Sequence, residues 1–517
     1  MRKARSYIVP LLALLLAMLW FSCRKDFEYA PNIGRLEFSK DTVFLDTVFT
    51  NIGSSTYSLK VYNRTGNDIL IPSVGLGQGT ASNYRLNVDG EAGKTFTDVP
   101  ILARDSLFIF IETTFDVSSE NQNEFLYTDA IVFDSGVNEQ QVPLVTLIKD
   151  AVFLFPGTLS NGSKESLLLG IDEQGNEIRI EGFLLEDEEL LFTNEKPYVI
   201  YGYAAIGDGK TLVVNAGARV HFHENSGLLV GSGGSLQVNG SLSADQELLE
   251  NEVIFEGDRL EPDFANISGQ WGTIWLAPGS AANTVNYLTI KNATVGMLVE
   301  GGMGNPQPTL SISNSQIHNS ATTNLWARTS VIEGSNLVLG NAGNASLSCS
   351  LGGDYVFIHS TIANYWSNGF RIGAALQLSN TENVSGGGTL DEDLTRAEFL
   401  NCIIDGNTSL ELALQANGNN TFNFSFLNCM LQFRDTGEQF TGNPLYDFTD
   451  NSLYSGLILN AEAEFLSTAK NDFRIGENSA AIGAGDPQGS LAVPLDLLGV
   501  DRPSPPDLGA FQYVPDN

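Results

Sequence analysis

The sequence predicts an all-β chain: an N-terminal β-sandwich followed by a right-handed parallel β-helix solenoid. Three observations carry this. Short Val/Ile/Leu/Phe runs separated by Gly and Asn turns fill a 517-residue chain that has 52 glycines and only 17% charged residues, against ~25% in ordinary soluble domains. From about residue 30 to 150 several of these runs alternate polar and apolar residues, the period of a half-buried strand. From about residue 196 a longer period takes over, with like motifs 22 to 45 residues apart, as expected of stacked repeats.

Residues 1–23 precede both parts. Arg2, Lys3 and Arg5 form a cationic start, Ile8 to Trp20 is apolar, and "LWFSC" ends at Cys23. This is the build of a secretory signal, and the apolar run is too short for a comfortable membrane span. The cysteine at the cut resembles a bacterial lipobox. That resemblance implies diacylglycerol on Cys23 and cleavage before it, so the expected location is an outer membrane, lipid-anchored, at the cell surface or on the periplasmic face. Each buried lipid CH₂ contributes ~0.8 kcal/mol to such anchoring. Cys23 is the only cysteine before Cys349, which sets it apart.

Residues 30–150 read as seven or eight strands, among them "DTVFLDTVFT", "YSLKVYN", "SLFIFIETTF" and "QQVPLVTLIK", with turns at "NIGSS", "RTGN" and "VDGEAG". Leu107 to Ile111 is apolar throughout and is expected to be central. The order of phrases resembles the immunoglobulin-like domains that follow the anchor in surface lipoproteins of the Bacteroidota phylum. Asp41, Asp46 and Asp105 fit that phylum's short O-glycosylation motif, although ordinary strand sequence is the preferred account. Residues 151–195 read as a connecting segment with a hairpin or two.

In the repeat, 196–480, Gly209 to Asn215 aligns with Gly233 to Asn239, 24 residues later. A second motif recurs as "NATV" from Asn292, "NSQI" from Asn314, "HSTI" from His359, "NCII" from Asn401 and "NCML" from Asn428. Its spacings are 22, 45, 42 and 27; the two long ones contain the further runs Leu337–Leu339 and Leu376–Leu378. Coils of this length holding short strands would stack at ~4.8 Å and bury apolar faces only against neighbours. Three rows follow: Asn292, Asn314, Asn401 and Asn428 at a left-handed corner; Ala293, Ser315, Ser360, Cys402 and Cys429 in a small-residue slot; Val295, Ile317, Ile362, Ile404 and Leu431 pointing inward. Cys402 and Cys429 are expected to be reduced, stacked thiols.

Residues of roughly 200–480 resemble the right-handed β-helix proteins of the pectate-lyase-like superfamily, and "KPYVIYG" and "GDRLEPDFANISGQWGTIWL" resemble the β-helix region of the same surface lipoproteins. Within 481–517, "DLLGVDRPSPPDLGAFQY" resembles the closing segment common in bacterial surface β-helices through Asp496, Gly499, Arg502, Asp507, Gly509 and Ala510. It is expected to cap the open end of the solenoid, where unpaired strand edges invite polymerisation, with Arg502 paired to Asp496 or Asp507.

Lys plus Arg number 27 against 61 Asp plus Glu, for a net charge of −34. That disfavours a nucleic-acid partner, which needs cationic contacts to phosphate, so none is expected, and it also disfavours polyuronates unless Ca²⁺ is bound. The polygalacturonase-type signatures are absent, "DED" at Asp391–Asp393 sits in a glycine-rich insertion, and Lys291, Arg328, Arg371 and Arg396 are scattered. His221 and His223 share one strand face, and a solvent-facing pair is preferred over a metal site that shows no third ligand. His318 and His359 fall in the turn rows. Of Trp271, Trp275, Trp326 and Trp366, which can stack on sugars, the first two are expected in the core. No catalytic, cofactor or metal residue is assigned, and Cys23 is the one site residue. The expected function is a non-catalytic surface lipoprotein displaying a β-helix for glycan or protein binding or envelope structure; the alternative is a polysaccharide lyase or glycoside hydrolase with an atypical site on the flank.

Overall fold

The structure, a computed structural model, describes residues 29–33, 36–116, 124–172, 174–301, 307–384 and 387–515. Cys23 and the expected signal segment, residues 1–23, lie outside the described residues. The chain divides into two units, Met1–Lys149 and Asp150–Asn517.

The first unit is a β-sandwich. One sheet runs Glu37–Phe38, Tyr57–Tyr62, Ser106–Thr113, Tyr84–Val88, Glu91–Gly93 in spatial order, so Ser106–Thr113 is central as expected. The other sheet runs Ala30–Pro31, Ile69–Leu76, Glu124–Phe133, Gln140–Lys149, Val43–Phe49, with Thr95–Ile101 also paired to Ile69–Leu76. Alternation sends Leu107, Ile109 and Ile111 into a core with Leu59, Ile71, Tyr84 and Ile131, and leaves Phe108 and Phe110 exposed. The all-apolar run is therefore central by hydrogen bonding but buried on one face only.

The second unit is a parallel β-helix. A 19-stranded sheet extends from Val152–Leu154 to Ile458–Leu459, and a ten-stranded sheet from Ser166–Ile171 to Leu412–Gln415. The 24-residue repeat is borne out, since Thr211 to Asn215 lie in parallel register on Ser235 to Asn239. Inside, Val220, Phe255, Ile290, Ile317, Leu339, Ile362, Ile404 and Leu431 form one ladder, every member buried.

The corner ladder differs from expectation in one coil. Asn314, Asn336, His359, Asn401 and Asn428 are all left-handed, with φ between 47° and 57°, on consecutive coils. Asn292 instead sits over Asn319, at the next corner. Its 22-residue offset from Asn314 mimics a coil because both corners use Asn, and Ala293 and Val295 leave their predicted rows with it. The slot after the corner holds Leu288, Ser315, Leu337, Ser360, Cys402 and Cys429 in turn, so it does not demand small size. Where the slot holds Ser315, Ser360 or Cys429, that side chain supplies an acceptor to the coil before it. Ser315 Oγ accepts the N–H of Leu288 (3.1 Å), Ser360 Oγ that of Leu337 (3.4 Å), and Cys429 Sγ that of Cys402 (3.4 Å). Cys349, Cys402 and Cys429 are free and buried, as expected of reduced thiols.

Two boundaries change. Residues 151–195 contain the expected hairpin, Ser166–Ile171 with Glu177–Leu184, but they are not a connection. Val152–Leu154 and Leu191–Phe192 pair in parallel with Tyr198–Ile200 and Thr211–Asn215, so the segment is already the first coil. The 42-residue gap from His359 to Asn401 is one coil, because Gly353–Ile358 pairs directly with Leu394–Leu400; the extra length includes a hairpin, Thr381–Asn383 with Thr389–Asp391, that carries Asp391.

The closing segment does not cap an end. It runs back along the corner ladder. Ala484 O accepts from Asn428 Nδ2 (3.1 Å), Asp486 exchanges two main-chain bonds with the Asn401 amide (2.9 and 2.7 Å), and Leu495 O accepts from Asn336 (2.8 Å). The reason is apolar cover. Val338, Ala363, Ile403 and Met430 point out of their coils and are buried by Phe473, Leu497, Leu508 and Ala510. Arg502 is buried and donates to Asn336 Oδ1 (2.8 Å), Gly509 O (3.1 Å) and Ala510 O (3.2 Å). Asp496 and Asp507 bind backbone N–H groups instead, so the expected ion pair is replaced by main-chain contacts. Among the described residues, no helix is long and apolar enough to cross a membrane.

Candidate functional site

In the ten-stranded sheet, alternation fixes which side chains leave the solenoid. Ile274, Met297, Leu325, Leu347, Leu376 and Leu412 point inward and are buried. The next position on each strand must therefore point out. That outward row reads Trp275, Leu298, Trp326, Ser348, Gln377, Ala413 on consecutive coils. The two indoles are two coils apart, about 10 Å at the strand spacing. Beside them runs a second outward row containing Glu300, Arg328 and Ser350.

Hydrogen bonds hold both indoles. Trp275 Nε1–H donates to Glu300 Oε2 (2.8 Å), and Trp326 Nε1–H to Ser350 Oγ (3.0 Å). Arg328 lies between two carboxylates: its Nε donates to Glu382 Oε2 (2.9 Å) and its Nη1 to Glu300. Burial works against the guanidinium charge, but Glu382 and then Glu300 raise its pKa above the ordinary value. Beyond Trp326 the surface opens into a cavity of about 610 Å³ lined by Ser348, Ser350, Gln377, Ser379, Glu382 and Gln415, with Phe440 and Tyr446 as its aromatic wall. At the other end Trp275 itself, with the hairpin residues Leu167, Leu169 and Ile180, packs on Tyr203, Ala205 and Leu229, and this apolar cluster closes the row.

The candidates named from sequence divide clearly. Trp271 is core as expected, stacked on Phe222 at 4.3 Å. Trp275 is not, because Gly272 and Thr273 lie outside the strand Ile274–Leu276 and reset the alternation. Trp366 is buried. His221 does not face solvent; it is 6% exposed and lies in register with Glu256. Lys291 Nζ reaches Glu256 Oε2 at 3.2 Å, and His318 is next to Lys291 in the same row rather than in a turn. Burial opposes the Glu256 charge, but Lys291 and then His221 hold its carboxyl below the usual range. Burial, then Lys291, pushes His318 down to about 3. His223 pairs with Asp258 (2.7 Å). His359 is in the corner row as expected. Among the described residues, no group of three or more His, Cys, Asp or Glu is arranged to hold a metal ion. The four scattered cations are each held by carboxylate: Lys291 by Glu256, Arg328 as above, Arg371 by the buried Glu411 (2.5 Å) and Arg396 by Asp354 (2.7 Å).

No family model and no characterised protein matches the sequence. Among solved structures the chain is similar to a family 123 glycoside hydrolase of glycolipid glycans from Clostridium perfringens, at 6% identity and a TM-score of 0.17 over 22% of this chain and 26% of that one. It thus spans about a quarter of that protein's length. It is also similar to the catalytic unit of a thermostable GH87 alpha-1,3-glucanase from Streptomyces thermodiastaticus, at 11% identity and a TM-score of 0.20 over 72% of this chain and 79% of that one. Likeness at these scores carries nothing about activity.

Proposed function

We propose that the chain is a lipid-anchored envelope protein whose β-helix binds glycan chains along the Trp275–Trp326 groove without cleaving them. The observation that carries this is the pair of half-buried, outward indoles on alternate coils, with Ser350, the acceptor of the Trp326 N–H, lining an adjoining cavity of about 610 Å³ together with further hydroxyls and amides. Indole faces suit the apolar C–H faces of sugar rings, and their N–H groups are already satisfied. Ser and Gln side chains repeating every ~4.8 Å offer donors and acceptors in line to a linear, hydroxyl-rich ligand.

A hydrolase needs two carboxylates flanking the scissile bond, with ~5 to 9.5 Å between them for sugar and water. Glu300 and Glu382 both bond Arg328, which occupies the space between them. This favours binding over hydrolysis.

The test is a glycan array followed by affinity electrophoresis on the soluble chain lacking residues 1–23. Trp326→Ala should weaken the retained glycan about tenfold, ~1.4 kcal/mol, with an unchanged circular dichroism spectrum. Loss of the reading would be signalled by undiminished retention, and release of reducing or unsaturated ends by the wild type would support the lyase or hydrolase alternative. The anchor has its own test. Cys23→Ser should abolish incorporation of labelled palmitate and move the protein from the membrane to the soluble fraction, since lipid supplies the membrane affinity; a membrane-bound, unlabelled variant would sink it.

A further inference from the structure

We infer, resting on the glycan-binding reading above, that the groove takes uncharged hexose chains and rejects uronate- or sulfate-bearing ones, and that Glu300 and Glu382 set this choice by holding Arg328. An anionic polysaccharide carries a carboxylate or sulfate every one or two sugars. Each one brought against a half-buried surface needs a cation or several donors to replace its water. Arg is the side chain best suited to that task, through its planar fork.

Among the described residues, the fork beside the two indoles is Arg328, and it is occupied. Arg328 gives Nε to Glu382 and Nη1 to Glu300, and the three side chains are only 14% to 28% exposed. One cation against two carboxylates leaves a local charge of −1 on the ligand face. Of these three only Glu382 lines the adjoining cavity, whose other polar lining, from Ser348 through Gln377 to Gln415, is neutral. Glu300 also holds the Trp275 N–H, so the carboxylate that occupies the guanidinium orients the first stacking platform. A neutral chain meets what the half-buried Trp275 and Trp326 leave exposed, with hydroxyls and amides beside them; a polyanion meets an excess of carboxylate.

The experiment compares retention of the same protein on dextran, mannan and a soluble β-glucan with retention on polygalacturonate and chondroitin sulfate, in EDTA and in CaCl₂. The expected result is Trp326-dependent retention by at least one neutral glycan, unchanged between low and high NaCl, and at least tenfold weaker retention by both polyanions under either condition. The variant Glu300→Gln/Glu382→Gln releases Arg328 and should gain polygalacturonate binding at least tenfold, sensitive to salt, a gain that Arg328→Leu in the same background removes. Trp326-dependent retention of the wild type on polygalacturonate, with or without Ca²⁺, overturns the charge rule while leaving the glycan reading standing. A folded double carboxylate variant with no gain overturns the role of Glu300 and Glu382. Retention indifferent to Trp326→Ala, or none on any glycan, overturns the glycan reading and this inference with it.

Discussion

Replacing Phe399 with alanine should cost the second unit about 3–5 kcal/mol of unfolding free energy, the range for truncating a buried phenylalanine. Phe399 is 1% exposed. Its ring stacks on Phe357 (5.5 Å, 13°) and Phe426 (4.9 Å, 10°), and Phe426 stacks on Tyr454 (5.6 Å, 6°). These residues are in direct register, so each ring is fixed by its own coil and cannot slide into the space left by its neighbour. The cavity would stay open, which places the cost high in the range. Above the stack the coil carries Gly334, where even a Cβ would meet the Phe357 ring at 2.6 Å. Coils of a solenoid couple only to their neighbours. The truncation should therefore also uncouple the coils on either side and broaden a single denaturant transition into two. Phe399→Leu, which keeps most of the volume, should cost less than ~1.5 kcal/mol. Denaturant unfolding followed by circular dichroism decides, and a loss under about 1 kcal/mol for Phe399→Ala would refute the rigid-stack account.

The repeat was legible because its corner requires a left-handed residue, and Asn is the side chain that tolerates it with least strain. The same chemistry limited the reading. Two successive corners both use Asn, so the spacing alone could not tell that Asn292 belongs with Asn319. Alternation in "SLSCS" and "LQLS" carried the signal for the groove, since Ser348 and Gln377 fall between inward residues. Arg328's partners carried no such signal, since Glu300 lies one coil back and Glu382 on an inserted hairpin 54 residues away. The closing segment left a trace as well. Val338, Ile403 and Met430 are apolar in one outward row, in which Thr361 stands on the coil between Val338 and Ile403, and such a stripe requires cover along the flank rather than at the end.

Below about pH 6 the wild type should lose stability that a His359→Asn variant keeps. His359 is fully buried at a left-handed corner. The Asn401 amide fixes its protonation state. Asn401 Oδ1 accepts the Asp486 N–H (2.7 Å) and Nδ2 donates to Asp486 O (2.9 Å), so the 3.1 Å contact from Nδ2 to His359 Nε2 requires an unprotonated Nε2. Burial first, then the charge of Arg502, push the imidazole down to about 3. The folded pKa lies below the unfolded value of ~6.5. The stabilisation is therefore complete above pH 6.5 and lost as pH falls toward 3, at ~1.4 kcal/mol per pH unit. His318, also pushed down to about 3, takes up a second proton on unfolding in the same window. Asp405, raised by burial to about 6, acts in the opposite sense, because between pH 6 and its unfolded value the folded state holds the extra proton. The wild-type profile alone is a sum of these, and the difference from His359→Asn isolates one histidine. Asn suits the site, since Asn336 and Asn401 occupy the same corner on the adjoining coils. The two proteins should agree within ~1 kcal/mol at pH 7.5, and the wild type should fall behind by about 2 kcal/mol by pH 5. A flat difference across that range would remove His359 from the account. The structural consequence is local. A proton on Nε2 sets donor against donor at Asn401, whose amide holds Asp486 and whose carbonyl accepts the Gly509 N–H (2.8 Å). Hydrogen exchange at Gly509 and Asp486, corrected for intrinsic rate, should therefore rise with acid in the wild type before it rises in the coils beneath.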